Sequence, residues 1–246
     1  MLKLTALMVF GSIYSGHYKM WTDWLSSIGK KIGSTARDLG KAVTNGIRAI
    51  RSTVSDYTQR ARATLNQLGN GVIRSITLRR TPIKSMLNTA LNVVSFGAWE
   101  RLKQKYGMDK LFHLAMVVEV DQGSGLQSVV IEKNETINVS TSYKKDADTE
   151  IEKVPLRDSA TLTVDDLLNN ALEGVGRPTY FQYDPWTNNC QFFIKYLLDY
   201  SHLLTPPIQG WLFQDISKLA EELPSATKDI ASGITAVAGA AATLLN

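Results

Sequence analysis

Apolar or small residues recur from Trp21 through Leu25, Ile28, Ile32, Ala36, Leu39, Val43, Ile47, Ile50, Val54, Tyr57, Ala61 and Leu65 to Leu68. The steps of three and four cover 47 residues in 13 intervals, a period of about 3.6. That pattern stays on one face of a nearly straight helix. A strict repeat of about 3.5 would instead wind a left-handed coiled coil. The opposite face carries Lys30, Lys31, Arg37, Lys41, Arg48, Arg51, Arg60 and Arg62, and Trp21 and Trp24 sit at one end. A basic amphipathic helix ending in tryptophans has the composition of a membrane-surface helix. Gly29, Gly33, Gly40 and Gly46 each weaken it in water by about 1 kcal/mol relative to Ala, so it is expected to form fully on a surface. Two other readings stand beside this one: a helix packed on its own domain or in an oligomer, and a nucleic-acid arm.

Gly69, Asn70 and Gly71 break the stripe. Residues 72–81 are consistent with a strand or an extended linker. Pro82 suits the first turn of a new helix with Thr81 as its cap, and Ile83, Met86, Leu87, Ala90, Leu91 and Val94 form its face. A short amphipathic helix over 99–106 follows. The pattern then changes. Residues 111–120 (LFHLAMVVEV) form a near-continuous apolar run of strand length. A turn at 121–125 leads into a second strand region over 126–139, and the pair reads as a hairpin. A third short strand is expected at 151–156. Thr163 is placed to cap a helix over 164–172, with Asp165 and Asp166 in its first turn. A short strand is expected around 180–183 and a helix over 190–204, ended by Pro206 and Pro207. Two more helices are predicted at 209–223 and 226–245. The fold class is therefore α+β: a small antiparallel sheet packed against the helix that begins at Cys190, with helical extensions at both ends. The expected boundaries are an extension over 1–81, a central domain over 82–204 and C-terminal helices over 205–246.

Charge sharpens this division. Residues 1–110 hold 18 Lys and Arg against 5 Asp and Glu, whereas residues 111–246 hold 9 against 18. The basic half should seek an anionic partner, with membrane phospholipid ahead of nucleic acid. At 44% hydrophobic and 20% charged, the chain has material for a real core, which excludes wholesale disorder. Residues 230–246 carry no charge but are rich in Ala and Gly. They read as a buried or membrane-seeking helix, with a transmembrane anchor as the lesser reading. Residues 4–13 are apolar but short for a bilayer, and no clear secretory signal surrounds them. Location at a membrane or in a virion is expected.

One cysteine excludes an intramolecular disulfide framework and a Cys-rich zinc site, and three histidines leave little for a His-based metal site. No metal or cofactor is expected. Cys190 follows a turn-rich segment and opens a helix, with Asn188 or Asn189 as N-cap. A thiol in the first helical turn faces the positive end of the helix dipole, which lowers its pKa and favours the nucleophilic thiolate. A small buried hydrophobe is the plainer reading of a lone cysteine. His113 interrupts an apolar strand, and a polar ring there needs a partner. It is either a buried histidine bonded to backbone or a general base for Cys190. Glu132 and Asn134 on the next strand share one face. Either could orient the imidazole, and Glu132 is favoured because a carboxylate also stabilises the imidazolium.

Three segments, FHLAMVV (112–118), VVIEKN (129–134) and NNCQFFI (188–194), appear in an order that resembles the circularly permuted papain-like fold. This is the NlpC/P60 and lecithin:retinol acyltransferase-like superfamily. Residues 81–114 are also similar to versions of the domain found in viruses and virus-like mobile elements. The resemblance implies Cys190 as nucleophile, His113 as base and Glu132 as orienting residue. Asn189 matches the Asn of the Asn-Cys box. Gln191 stands where lipid-acting members often carry Glu, which leaves the substrate class open. Members include peptidases and amidases as well as phospholipases and acyltransferases. The basic arm and the uncharged C-terminal segment favour a thiol-dependent acyl hydrolase or acyltransferase acting on lipid esters at a membrane, in a viral setting an aid to membrane penetration. The rivals are a peptidase or amidase with the same site, and a non-catalytic membrane-active or structural virion protein that assembles with other virion proteins.

Overall fold

The computed structural model describes residues 56–82, 97–106, 111–123, 125–142, 147–156, 161–213 and 221–223. The chain divides into two units, residues 1–43 and 44–246, and every described residue belongs to the second. The expected membrane-facing residues Trp21, Trp24, Lys30, Lys31, Arg37, Lys41, Arg48 and Arg51 lie outside the described residues, as do the helical face over 83–94 and the segment 226–246. Among the described residues, no helix is long and apolar enough to cross a membrane.

Helix α1 (Gln59–Leu68) is capped by Thr58, whose side chain accepts from the Ala61 N–H at 3.1 Å. Ala61 and Leu68 are buried in the main core, with Tyr57 and Leu65 packed against it. The last turns of the apolar stripe thus pack on their own domain. Strand β1 (Val72–Pro82) follows directly. It is a full member of the sheet, flanked by β2 (Phe112–Asp121) and β5 (Glu150–Val154). This corrects two expectations. Thr81 and Pro82 do not start a helix, because they pair with His113 and Phe112 at the end of the ladder. A proline is tolerated at a strand end, where its missing N–H removes little pairing. The domain also begins well before residue 82: Ile73, Ile76 and Leu78 are core, so α1 and β1 are integral to it.

Strand β3 (Leu126–Lys133) pairs with β2, and β4 (Ile137–Ser140) pairs with β3, giving a five-stranded antiparallel sheet of order β4-β3-β2-β1-β5. The single strand region expected over 126–139 is therefore two strands. A tight turn divides them, in which the Asn134 N–H donates to the Thr136 carbonyl at 3.1 Å. Between β1 and β2 lies the short helix α2 (Ala98–Lys105). Its Trp99 and Leu102 form a small second core with Leu111 and Leu223.

Helix α3 (Val164–Phe181) begins with the expected cap. The Asp166 N–H donates to Thr163 Oγ1 and the Thr163 N–H to Asp166 Oδ2, both at 3.0 Å, which is a capping box. The helix runs nine residues beyond the expected end. It kinks at Gly176, whose φ of 76° suits a residue without a Cβ, and Pro178 lies just past the kink. The strand expected at 180–183 is displaced by this helical end. Tyr180 and Phe181 have strand-favouring side chains, but both are buried edge-to-face against Tyr57, and that packing outweighs local propensity.

Helix α4 (Cys190–Tyr200) buries Phe193, Ile194, Leu197 and Leu198 completely, each contributing about 1.5–3 kcal/mol. It stops at Tyr200, short of 204. The Leu203 N–H donates to the Leu198 carbonyl at 2.8 Å and the His202 N–H to the Asp199 carbonyl at 3.0 Å. This is a Schellman end with His202 in the left-handed position. Pro206 and Pro207 open helix α5 (Pro206–Leu212), where missing N–H groups cost nothing. The backbone is extended at Phe213, so the helix expected over 209–223 is interrupted there.

Candidate active site

The site is assembled from three elements that local sequence places separately. His113 lies near the start of β2. Ala115 pairs with Glu132 across the β2–β3 ladder, so His113, two residues earlier, shares a sheet face with Glu132 as its diagonal neighbour. His113 Nε2 and Glu132 Oε2 are 3.0 Å apart. With Nε2 engaged by Glu132, Nδ1 is the ring nitrogen left for Cys190, whose sulfur and the imidazole shift each other's titration.

Cys190 is delivered from the other layer by a rigid cap. Asn189 is the N-cap of α4. Its Oδ1 accepts from the Gln191 N–H at 2.9 Å and the Phe192 N–H at 3.4 Å, and its Nδ2 donates to the Pro185 carbonyl at 3.0 Å. The preceding residue, Asn188, donates through Nδ2 to the Thr179 and Gln182 carbonyls at 2.7 and 2.8 Å. The two asparagines thus divide the work: Asn189 starts the helix and Asn188 fixes the loop. The Leu114 N–H, just past the last β2–β3 pair, donates to Cys190 Sγ at 3.4 Å.

The electrostatics follow from this packing. Burial pushes the Cys190 thiol up. The charge and hydrogen bond of His113, with the Leu114 and Gln191 amides, more than offset this and bring it below the ordinary thiol range. Burial pulls His113 down, but the Cys190 sulfur and Glu132 hold it well above the ordinary imidazole value. Burial pushes Glu132 up, and its bonds to His113 and Asn138 bring it below the usual carboxylate range. All three directions favour a thiolate, an imidazolium and a carboxylate in a row. Cys190 is 7% exposed, whereas the His113 side chain is 34% exposed. The pair is therefore open to solvent from the imidazole side.

The structure brings together Cys190, His113 and Glu132, with Asn189 as the helix cap. It does not bring Asn134 to the imidazole. Asn134 has left the strand, and its Oδ1 accepts from the Thr136 N–H at 3.3 Å and from Asn138 Nδ2 at 3.4 Å. Gln191 is buried at 4% exposure, and its backbone amide serves the thiol and the cap. Asn138 is the residue that sequence reasoning missed. It pairs with Glu132 across the β3–β4 ladder and helps hold its carboxyl in the charged form. The signal would have been a turn at 134–136, which folds Asn138 back opposite Glu132.

Aromatic residues lie close to Cys190 and His113 in the chain. Phe192 stacks edge-to-face on Phe213 at 5.1 Å. Arg80 lies over the rings of Phe112 and Trp211 at 5.0 and 4.5 Å, with its guanidinium bonded to the Trp211 carbonyl and to Glu150. Among the described residues, no cluster of His, Cys, Asp or Glu could hold a metal ion. No family model, curated protein or solved structure matches the chain.

Proposed function

We propose that the protein is a thiol-dependent acyl hydrolase or acyltransferase acting on lipid esters at a membrane surface. One observation carries the reading: the Cys190 thiol, at the first turn of a capped helix, accepts the Leu114 N–H beside His113 at 3.4 Å, and the His113 imidazole is itself held by Glu132 at 3.0 Å. In this scheme the Cys190 thiolate attacks the ester carbonyl, and His113 protonates the departing alcohol as the thioester forms. Water, activated by His113, then attacks the thioester, releasing the free acid and returning the proton to the thiol. With another alcohol or amine in place of water, the acyl group is transferred instead.

The oxyanion donor in this scheme is the Cys190 N–H. The Gln191, Phe192 and Phe193 amides are all taken by Asn189. No partner of the Cys190 N–H is seen among the described residues, and it lies at the helix end where negative charge is favoured. The basic first half of the chain supports an anionic surface as the place of action.

The test is product analysis with phosphatidylglycerol vesicles and with acyl-peptide amides, for the full chain and for Cys190→Ala. Free fatty acid released from vesicles by the wild type alone is the expected result. Cleavage confined to amides would favour the peptidase reading. Full activity in Cys190→Ala would refute thiol chemistry altogether.

A further inference from the structure

Lys133 ends β3, next to Glu132, and is completely buried. Its amine donates to the Tyr180 carbonyl at 2.6 Å and lies 3.4 Å from the Thr179 carbonyl. It also sits 5.6 Å from the centroid of the Phe193 ring. Both carbonyls belong to the last turn of α3, where helix carbonyls lack intrahelical partners and a cation is favoured. Yet a buried ammonium is a costly way to fill space. Burial brings its pKa from the ordinary 10.5 down to about 7, and an apolar side chain of similar length would avoid that cost.

What the amine does is tie two things together. Thr179 to Gln182 is the segment that leads into the loop before Cys190. It is held from the loop side by Asn188 and from the sheet side by Lys133. Successive strand residues point to opposite faces. Glu132 therefore faces His113 while Lys133 faces the end of α3, and one backbone step links the partner of the imidazole to the segment that delivers the thiol. Phe193, which the amine also meets, is one helical turn past Cys190.

We propose that Lys133 is a positioning residue of the Cys190 site: it fastens the end of α3 to β3 and so sets the thiol against the His113–Glu132 pair. The proposal rests on the reading of Cys190 and His113 as an activated pair.

Its test is the pH–rate profile of Cys190 alkylation by iodoacetamide in the full chain, for the wild type, Lys133→Met and Val139→Ala. Val139 is buried in the core on β4, so its truncation controls for lost stability alone. In Lys133→Met the midpoint is expected to rise by about one pH unit, which lowers the rate about tenfold at pH values well below both midpoints. Val139→Ala should lower Tm and keep the wild-type midpoint. A folded Lys133→Met protein with the wild-type profile would overturn the positioning role, as would an equal shift in Val139→Ala. A wild-type midpoint near the ordinary value of about 8.5 would refute the activated pair itself, and the proposal with it. If Lys133→Met does not fold, Lys133→Gln, which keeps an N–H donor, is read against the same outcomes.

Discussion

His113 Nε2 meets Glu132 Oε2 at 3.0 Å across neighbouring strands, from the same face of the sheet. This leaves the other ring nitrogen for Cys190 and defines the protonation state of the row. The thiol is held below its ordinary range, after burial has pushed it up, by His113 and two backbone amides. The imidazole, which burial pulls down, is held above its range by the same thiol and by Glu132.

The first expectation concerns thiol reactivity. A lowered thiol and a raised imidazole leave a thiolate–imidazolium pair between the two titrations. Alkylation by iodoacetamide should be fast near neutral pH and should fall only as Cys190 takes up its proton in acid. In His113→Ala the main opposing influence on burial is gone, so the midpoint should move above the ordinary thiol value. Intact-mass labelling from pH 5 to 9 reads both profiles.

Glu132→Gln should keep the fold and lose the charge that supports the imidazolium. Turnover is expected to fall by roughly 10²-fold, with the His113 titration moving down. NMR of the imidazole protons measures that titration directly. Asn134→Ala should leave both unchanged, because Asn134 serves the β3–β4 turn. An equal loss in the two variants would contradict the assignment of Glu132.

Lys133 makes stability depend on pH with a definite sign. Its folded pKa of about 7 lies below the unfolded value of 10.5, so the unfolded chain binds more protons between them. Stability from this group is fully present above pH 10.5 and is lost as pH falls through about 7. Tm should therefore climb from pH 7 to pH 9 more steeply in the wild type than in Lys133→Met. Calorimetry at matched ionic strength measures the difference. Parallel curves would mean that the amine is not buried as described.

His202 holds a positive φ of 57° at the end of α4. A side chain in that conformation costs roughly 1 kcal/mol, which glycine avoids. His202→Gly should raise stability by about that amount in chemical denaturation, and leave the thiol profile untouched. A loss of stability would show that the imidazole makes a compensating contact.

Much of the site was legible because its signals are local. A helix opening at Cys190 follows from Asn-Asn before an apolar 3.6 period. A strand follows from the near-continuous apolar run over 111–120, and His113 stands out in it as the one ring needing a partner. The helix cap at Thr163 and the glycine break at 69–71 were readable for the same reason: a cap or a break is satisfied by residues a few positions away. The choice between Glu132 and Asn134 was not local. Both share a strand parity, and only the turn at 134–136, which takes Asn134 out of the ladder, leaves Glu132 beside the imidazole.

The sequence by itself determined the α+β class, the apolar strand that carries His113, and the opening of helices after Thr163 and at Cys190. Each of these follows from the spacing of apolar side chains and from backbone groups capped by near neighbours. Only the tertiary structure decided that β1 lies between β2 and β5, that 180–181 end a helix, that Asn138 backs Glu132, and that Lys133 reaches the end of α3. Each of those depends on residues tens of positions apart. Pairing partners and buried polar contacts are selected by the whole core, and no local period encodes them.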